Sequence, residues 1–313
     1  MVYFKLIITK LFSIAIHGGA FNTKKTELPS SLQKKYKEAL SESLDAGYTI
    51  LKSGDTAINA VVAAIKKMED SPLFNAGRGS VIAHDNHIYM DASLMNGKLL
   101  TCGAVGNVTT IKNPIAAAQK VMENSDYVFM VEEGAEKFAE EQNIEIVPNI
   151  YFITEARQKQ FLQKLQKDIA SAENENHGTV GCVAMDKFGN LAAGTSTGGM
   201  ANKKYGHIGD SAVIGAGTYA SNKTCAVSCT GKGEDFIRLA VAHDISALME
   251  YKSFTLKKAV DKVIREKLKK IQGSGGCIAI NKHAEIYMAY ISSGMFRGQI
   301  DKNGKKFLAV LEK

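Results

Sequence analysis

Residues 174–200 read NENHGTVGCVAMDKFGNLAAGTSTGGM. A polar run gives way at Gly178-Thr179 to VGCVAM, a DKFGN turn follows, and a second run, LAAGTST, ends in Thr195, Ser196 and Thr197. Two apolar, partly β-branched runs about a Gly/Asn/Asp turn predict a hairpin over Thr179–Gly198. In such a hairpin Thr197 ends the strand that pairs with the one Thr179 begins. The pair at the entry then has two readings. Either a loop ends where a strand former begins, or the chain is cut between Gly178 and Thr179 and Thr179 does chemistry.

The second reading has a physical basis. A threonine hydroxyl needs a base beside it, and an N-terminal threonine carries its own: an α-amine of pKa about 8, partly neutral at pH 7. Gly178, without Cβ, tolerates the strained backbone needed for Thr179 Oγ1 to attack its carbonyl. The branched β-carbon of Thr179 restricts χ1. Downstream, Thr197 is placed to orient this hydroxyl, and Asp210 in GHIGDS offers a carboxylate for a substrate ammonium. In SCTGKGE a strand ends and a helix begins, so the Thr230 hydroxyl and the Gly231 N–H suit an oxyanion hole.

Outward from the hairpin the pattern is one of strands and helices in blocks. FSIAIHGG (12–19) reads as a strand, 31–52 and 56–69 as amphipathic helices, 80–97 as two strands about an Asp-Asn turn, and 101–109 as a third. Pro114 opens a helical pattern that continues with breaks to Asn143. Residues 154–177 read as a helix fading into a polar linker. Beyond the hairpin come strands at 211–220 and 224–231, helices at 233–250 and 255–271, and a last hairpin around 277–290. Hairpin-linked, Ala- and Gly-rich strands between helices predict an α/β fold, a four-layer αββα sandwich of two mainly antiparallel sheets. A doubly wound nucleotide fold would alternate strand and helix regularly.

Composition narrows the function classes. The net charge of +7 in 313 residues comes from lysines interleaved with acidic residues on helical stretches, the mark of a solvated face rather than a nucleic-acid surface. Five cysteines without paired metal spacing read as free thiols of a reducing compartment. No stretch has the apolar length of a membrane span. Lys10 interrupts the apolar N-terminal run before any small-residue cleavage site, so a cytoplasmic protein with a short extension is expected. His84 and His87 flank a turn with no third ligand nearby, and the glycines around Lys232 do not make a phosphate loop.

Ten stretches carry a family resemblance: IAIHGGA (14–20), PLFNAGRGS (72–80), MDASLMNG (90–97), GAVGNV (103–108), KNPIAAA (112–118), residues 177–200, GHIGDS (206–211), GAGTYA (215–220), SCTGKGE (228–234) and GSGG (273–276). The chain resembles the plant-type (type 2) asparaginases and isoaspartyl peptidases, N-terminal nucleophile hydrolases. The resemblance implies one Ntn-hydrolase domain over 1–313, cut into 1–178 and 179–313 subunits, with Thr179 as both cleavage residue and nucleophile. It implies Thr197 in support, Thr230 and Gly231 as oxyanion hole, Asp210 on the substrate amine and Asn75 near the nucleophile. It also implies a structural sodium wrapped by backbone carbonyls of the Met68–Arg78 loop (Met68, Glu69, Ser71, Phe74, Ala76, Arg78), no catalytic cofactor, and a dimer of cleaved units. The expected substrates are L-asparagine and β-aspartyl dipeptides.

This chain departs from the pattern at two places. The arginine that holds the substrate α-carboxylate in similar enzymes is His207 here, and Lys232 stands beside the oxyanion hole where relatives carry a small or acidic residue. Arginine is always charged and bidentate, whereas histidine carries charge only towards acid pH. If His207 holds the carboxylate, KM rises between pH 6 and 8. If Lys232 compensates, Lys232→Ala raises KM more than it lowers kcat. The alternative is a weakly active or non-catalytic relative that binds aspartyl ligands.

Overall fold

The computed structural model describes residues 11–22, 28–167 and 178–311, with only the backbone for 164–167. The expected linker therefore lies mostly outside the described residues, as does the expected extension before Leu11. Eight strands form one sheet in the order β12-β11-β1-β5-β6-β2-β3-β4, and four form a second in the order β10-β9-β8-β7. Around the site the relevant strands are β1 (Ser13–Phe21), β2 (Met90–Asn96), β5 (Val180–Met185) and β6 (Leu191–Thr197) in the first sheet. The second holds β7 (Thr218–Ala220), β8 (Cys225–Gly231), β9 (Gly275–Asn281) and β10 (Ile286–Tyr290). All pairings are antiparallel except β3 (Cys102–Val108) with β4 (Phe129–Val131).

Helices α1 (Ser30–Ser53), α2 (Ala57–Glu69) and α3 (Pro114–Asn124) cover the outer face of the large sheet. Helices α7 (Val241–Lys252) and α8 (Leu256–Val260, passing into a π-helical segment Asp261–Leu268) cover that of the small one. The sandwich thus has three apolar layers. One lies between α1–α3 and the large sheet, one between the small sheet and its helices, and a thinner one between the sheets, from Ala15, Val183, Ala193, Ala226 and Ile278. This is the α/β four-layer αββα sandwich expected from the hairpin grammar, and the Ntn-type arrangement that the resemblance implies.

Successive residues of a strand face opposite ways, and here the alternation sorts chemistry from packing. On β1, Ile14 and Ile16 join the helix-side core, while His17 faces the second sheet, where it bonds to β8. On β6, Ala192 packs on the helices, while Thr195 and Thr197 turn inward. On β8, Val227 and Cys229 face their helices, while Ser228 and Thr230 face the large sheet. Gly181 is needed where the layers close: a Cβ there would collide with Ser228 and the His17 ring.

Several expectations need correction. Of the two strands read in 80–97, only β2 exists. Val81, Ile82 and Ala83 are buried coil, because Asn75 Oδ1 takes the Val81 N–H and a tight Ala83–His87 turn replaces a ladder. The strand read over 211–220 shrinks to β7, because the chain folds back so that Gly217 N–H bonds the Asp210 carbonyl. The helix read over 233–250 breaks at Ala240 (φ 46°) into α6 (Gly233–Leu239) and α7, so that α6 starts at the site while α7 lies along the sheet. The 114–143 pattern is α3, β4 and α4 (Glu132–Glu141), and 155–167 is helix α5. Finally, β11 (Gly294–Ile300) and β12 (Lys306–Ala309) were not expected. Arg297 and Gln299 disguise β11 as surface, yet Arg297 is buried over the rings of Tyr290 and Phe307. Among the described residues no helix is long and apolar enough to cross a membrane.

Candidate active site

Thr179 sits one residue ahead of β5, whose Val180 pairs with Ser196 of β6, so Thr179 falls beside Thr197. Both side chains are buried, and Thr179 Oγ1 donates to Thr197 Oγ1 at 3.1 Å. Thr197 Oγ1 also accepts the Gly199 N–H at 3.0 Å, which fixes its own rotamer. The Gly178 carbonyl accepts the Asn75 N–H at 3.2 Å. Asn75 in turn accepts from Gly198 N and donates Nδ2 to the Gly199 carbonyl at 2.8 Å, tying the Gly178-Thr179 bond to the turn after Thr197. Gly178 is required here by space: an added Cβ would stand 2.8 Å from Asn75 Cβ.

The backbone of Thr179 is held from the other sheet. Its carbonyl accepts from His17 Nδ1 at 3.0 Å, so that nitrogen must carry the proton. Burial lowers the His17 pKa to about 3, only partly offset by the bond to Thr179, and the ring is neutral. His17 Nε2 is then an acceptor and takes the Ser228 hydroxyl at 3.0 Å. This polarity propagates inward: Thr195 donates to Ser228 (2.7 Å) and Thr218 to Thr195 (2.6 Å), while Ser93 beside Thr218 gives its proton to the Ser211 carbonyl (2.6 Å). The Thr179 carbonyl thus sets the histidine tautomer, and the buried hydroxyls order themselves to match it.

A small cavity of about 20 Å³ lies against Thr179 and Thr197, closed by His207, Asp210, Ser211, Gly231 and Gly233. It has room for about one water, so a substrate requires the site to open. Among the described residues Asp210 Oδ2 is buried with no hydrogen-bond partner, and burial, reinforced by the charges of Glu234 and Asp91, raises the Asp210 pKa to about 7. His207 Nε2–H donates to Glu234 Oε1 at 2.8 Å, leaving His207 Nδ1 and Glu234 Oε2 buried and unpartnered. Burial opposes ionisation of Glu234, but its own backbone N–H and His207 outweigh it and hold the carboxyl below its usual range. The unpartnered Asp210, His207 and Glu234 atoms form a polar set with a negative balance, suited to an ammonium group.

The remaining expected residues fall as follows. Gly231 lines the cavity, while Thr230 is held by the Ala20 N–H at 2.9 Å, its own proton left to donate. Lys232 is exposed at the N-cap of α6, outside the cavity, and its charge helps to hold Glu234 ionised. The Met68–Arg78 loop curls so that a Cβ on Gly79 would stand 2.7 Å from the Pro72 carbonyl and 2.8 Å from that of Phe74. Carbonyl oxygens are the donors a hard cation takes, and of these two Phe74 belongs to the expected set while Pro72 does not. The Glu69 carbonyl, however, already accepts the Arg78 N–H at 2.6 Å, and that of Met68 accepts Ser71 N–H at 3.2 Å.

Two groups at the site had no role in the sequence reading. His17 and its hydroxyl chain were legible only as alternate positions of separate strands, and Glu234 only as the residue after the TGKG turn.

Comparison with known proteins decides the family. The model of the asparaginase family matches residues 10–310. The chain belongs to the asparaginase family. Within this family it is 45% identical over 292 residues to the isoaspartyl peptidase of Salmonella typhimurium, covering 91% of this chain and 93% of that one. It is 44% identical over 292 residues to the isoaspartyl peptidase of Escherichia coli, covering 91% of each. A probable isoaspartyl peptidase/L-asparaginase of Arabidopsis thaliana is 41% identical over 329 residues, covering 96% of this chain and 99% of that one.

Proposed function

We propose that this asparaginase-family protein cuts itself between Gly178 and Thr179, and that the freed Thr179 hydrolyses L-asparagine and β-aspartyl dipeptides to release L-aspartate. The observation that carries the reading is the buried placement of Thr179 beside Thr197, in one cavity with an unpartnered Asp210 carboxylate. The names of its relatives, isoaspartyl peptidase and L-asparaginase, support the substrate class.

In the uncut chain Thr179 Oγ1 attacks the Gly178 carbonyl carbon, its proton leaving towards Thr197. The Asn75 N–H donates to the oxygen on which negative charge develops. The acyl group moves from nitrogen to oxygen as that proton passes on to the Thr179 nitrogen, and water cleaves the ester to a Gly178 carboxylate and a free Thr179 amine. In turnover that amine takes the Oγ1 proton as the hydroxyl attacks the substrate's β-carbonyl. Asp210 holds the substrate ammonium, the Thr230 hydroxyl and Gly231 N–H receive the oxyanion, and the Thr179 ammonium protonates the departing amine. Water then releases aspartate. His207, set by Glu234, lies where the α-carboxylate is held. The Met68–Arg78 loop would hold a sodium ion as a structural clamp, its inward carbonyls supplying the ligands, and the cleaved units would pair as a dimer.

The test is the intact mass of the purified, denatured protein together with ammonia release from L-asparagine. Fragments ending at Gly178 and beginning at Thr179, with turnover, are the expected result. A chain that remains uncut and inactive after prolonged incubation removes the proposal in favour of a non-catalytic relative.

A further inference from the structure

A second, larger space meets the bond to be cut at Gly178, whereas the small cavity meets it at Thr179. A cavity of about 340 Å³ has Gly178 and Asn75 at one end and walls that include Phe21, Leu28, Tyr36, Phe74, Phe296 and Arg157. Its volume is that of a site for a small organic ligand. The aromatic wall is rigid: Tyr36 stacks on Phe296 at 4.3 Å between centroids, Phe21 lies 4.6 Å from Phe296, and Tyr36 meets Phe74 edge-on at 5.7 Å. Arg157 is the charged group in this lining. Its Nε donates to the Gly79 carbonyl at 2.5 Å and its Nη1 to Gln160 Oε1 at 2.8 Å, and among the described residues no carboxylate pairs with it. Burial disfavours its charge, offset only weakly by Tyr36. A mostly buried guanidinium with two neutral partners, at the edge of an apolar cavity, is arranged for an anion supplied from outside.

The proposed chemistry fixes where a substrate's departing half must lie, and the inference rests on that reading. The Thr179 nitrogen protonates the leaving amine, so that amine must come within hydrogen-bond reach of it. The space bonded to that nitrogen is now filled by Gly178, and Gly178 forms the end of this cavity. Once the bond is cut and the Gly178 end withdraws, that position is open to a leaving amine. The aspartyl half belongs on the other side of Thr179, around Asp210.

We propose that this cavity is the leaving-group subsite of the enzyme. The side chain of the residue released from a β-aspartyl dipeptide packs on the Phe74–Phe296 wall, and its free carboxylate pairs with Arg157. L-Asparagine releases ammonia and makes no use of the subsite. The structure therefore favours β-aspartyl dipeptides with a large apolar second residue.

The test compares three substrates on mass-verified cleaved protein: β-aspartyl-leucine, β-aspartyl-leucinamide and L-asparagine. In the wild type the amide, which lacks the carboxylate, is expected to show a kcat/KM roughly ten- to a hundredfold below that of β-aspartyl-leucine. In Arg157→Gln the ratio of β-aspartyl-leucine to L-asparagine activity falls by a similar factor, while the amide loses no more. Equal rates for dipeptide and amide in the wild type overturn the subsite, and this arm stands even if the variant fails to fold. Equal losses on all three substrates in Arg157→Gln overturn it too, because they reveal a structural role. If the wild type turns over none of the three, the hydrolase reading itself fails and takes the subsite with it.

Discussion

The Thr179 hydroxyl donates to the Thr197 hydroxyl across 3.1 Å because the β5–β6 register sets Val180 opposite Ser196 and leaves the two threonines side by side. Removing the nucleophile while keeping the fold is the most direct probe. Thr179→Ala is expected to abolish both the chain cut and turnover. Thr197→Val, which keeps the shape but loses the acceptor, should lower kcat by roughly ten- to a thousandfold with little change in KM. Electrophoresis after denaturation and steady-state kinetics read both.

His17 acts on Thr179 through its backbone, and its substitution separates positioning from chemistry. His17→Ala leaves the Thr179 carbonyl and the Ser228 hydroxyl without partners in a sealed layer, at a cost of about 1–3 kcal/mol each. The expected result is slow cutting and a melting temperature several degrees lower. His17→Gln, whose amide can donate to the carbonyl and accept from Ser228, should restore much of the cutting rate. A Gln variant no better than Ala would leave His17 a packing residue only.

Asp210 sets a demand on pH, and His207 one on geometry. With its pKa raised to about 7, Asp210 in the free site takes up a proton below neutrality and loses its hold on an ammonium ion. Hence kcat/KM for L-asparagine should rise between pH 6 and 8. His207→Arg, which restores a bidentate carboxylate ligand, should lower KM by about tenfold or more and leave the rising limb in place.

Glu69 gives a stability prediction. Its Oε1 accepts from Ser196 at 2.7 Å and Ile115 N–H at 3.0 Å, but Oε2 is buried and unpartnered. Burial, against the pull of these bonds, raises its pKa from 4.5 to about 8. The folded state therefore binds the proton more tightly than the unfolded one. From this group, stability is greatest below about pH 4.5 and declines as pH rises towards 8. Glu69→Gln keeps the two accepted bonds and removes the titration. Thermal melts from pH 5 to 8 should show a flatter profile for the variant than for the wild type.

Much of this was legible in order but not in depth. The 179–198 hairpin and the Thr230-Gly231 strand end stand where the sequence patterns put them, because turn residues and two-residue alternation act locally. Lys232 reads the same in sequence whether it faces a site or water, and only the start of α6 turns it outward. β11 stayed hidden because its polar Arg297 is buried by rings from two other strands.

The sequence by itself determined which residues of each strand share a face, since the side-chain period of a strand is a property of the backbone. It thereby set Thr195 and Thr197, or Ser228 and Thr230, as common-face pairs. Only the tertiary structure decided what those faces meet. His17 reaches Ser228, 211 residues away, because two sheets with Ala and Gly between them approach closely enough for a ring and a hydroxyl to bond. That approach, unlike the alternation, depends on the packing of every layer outside it.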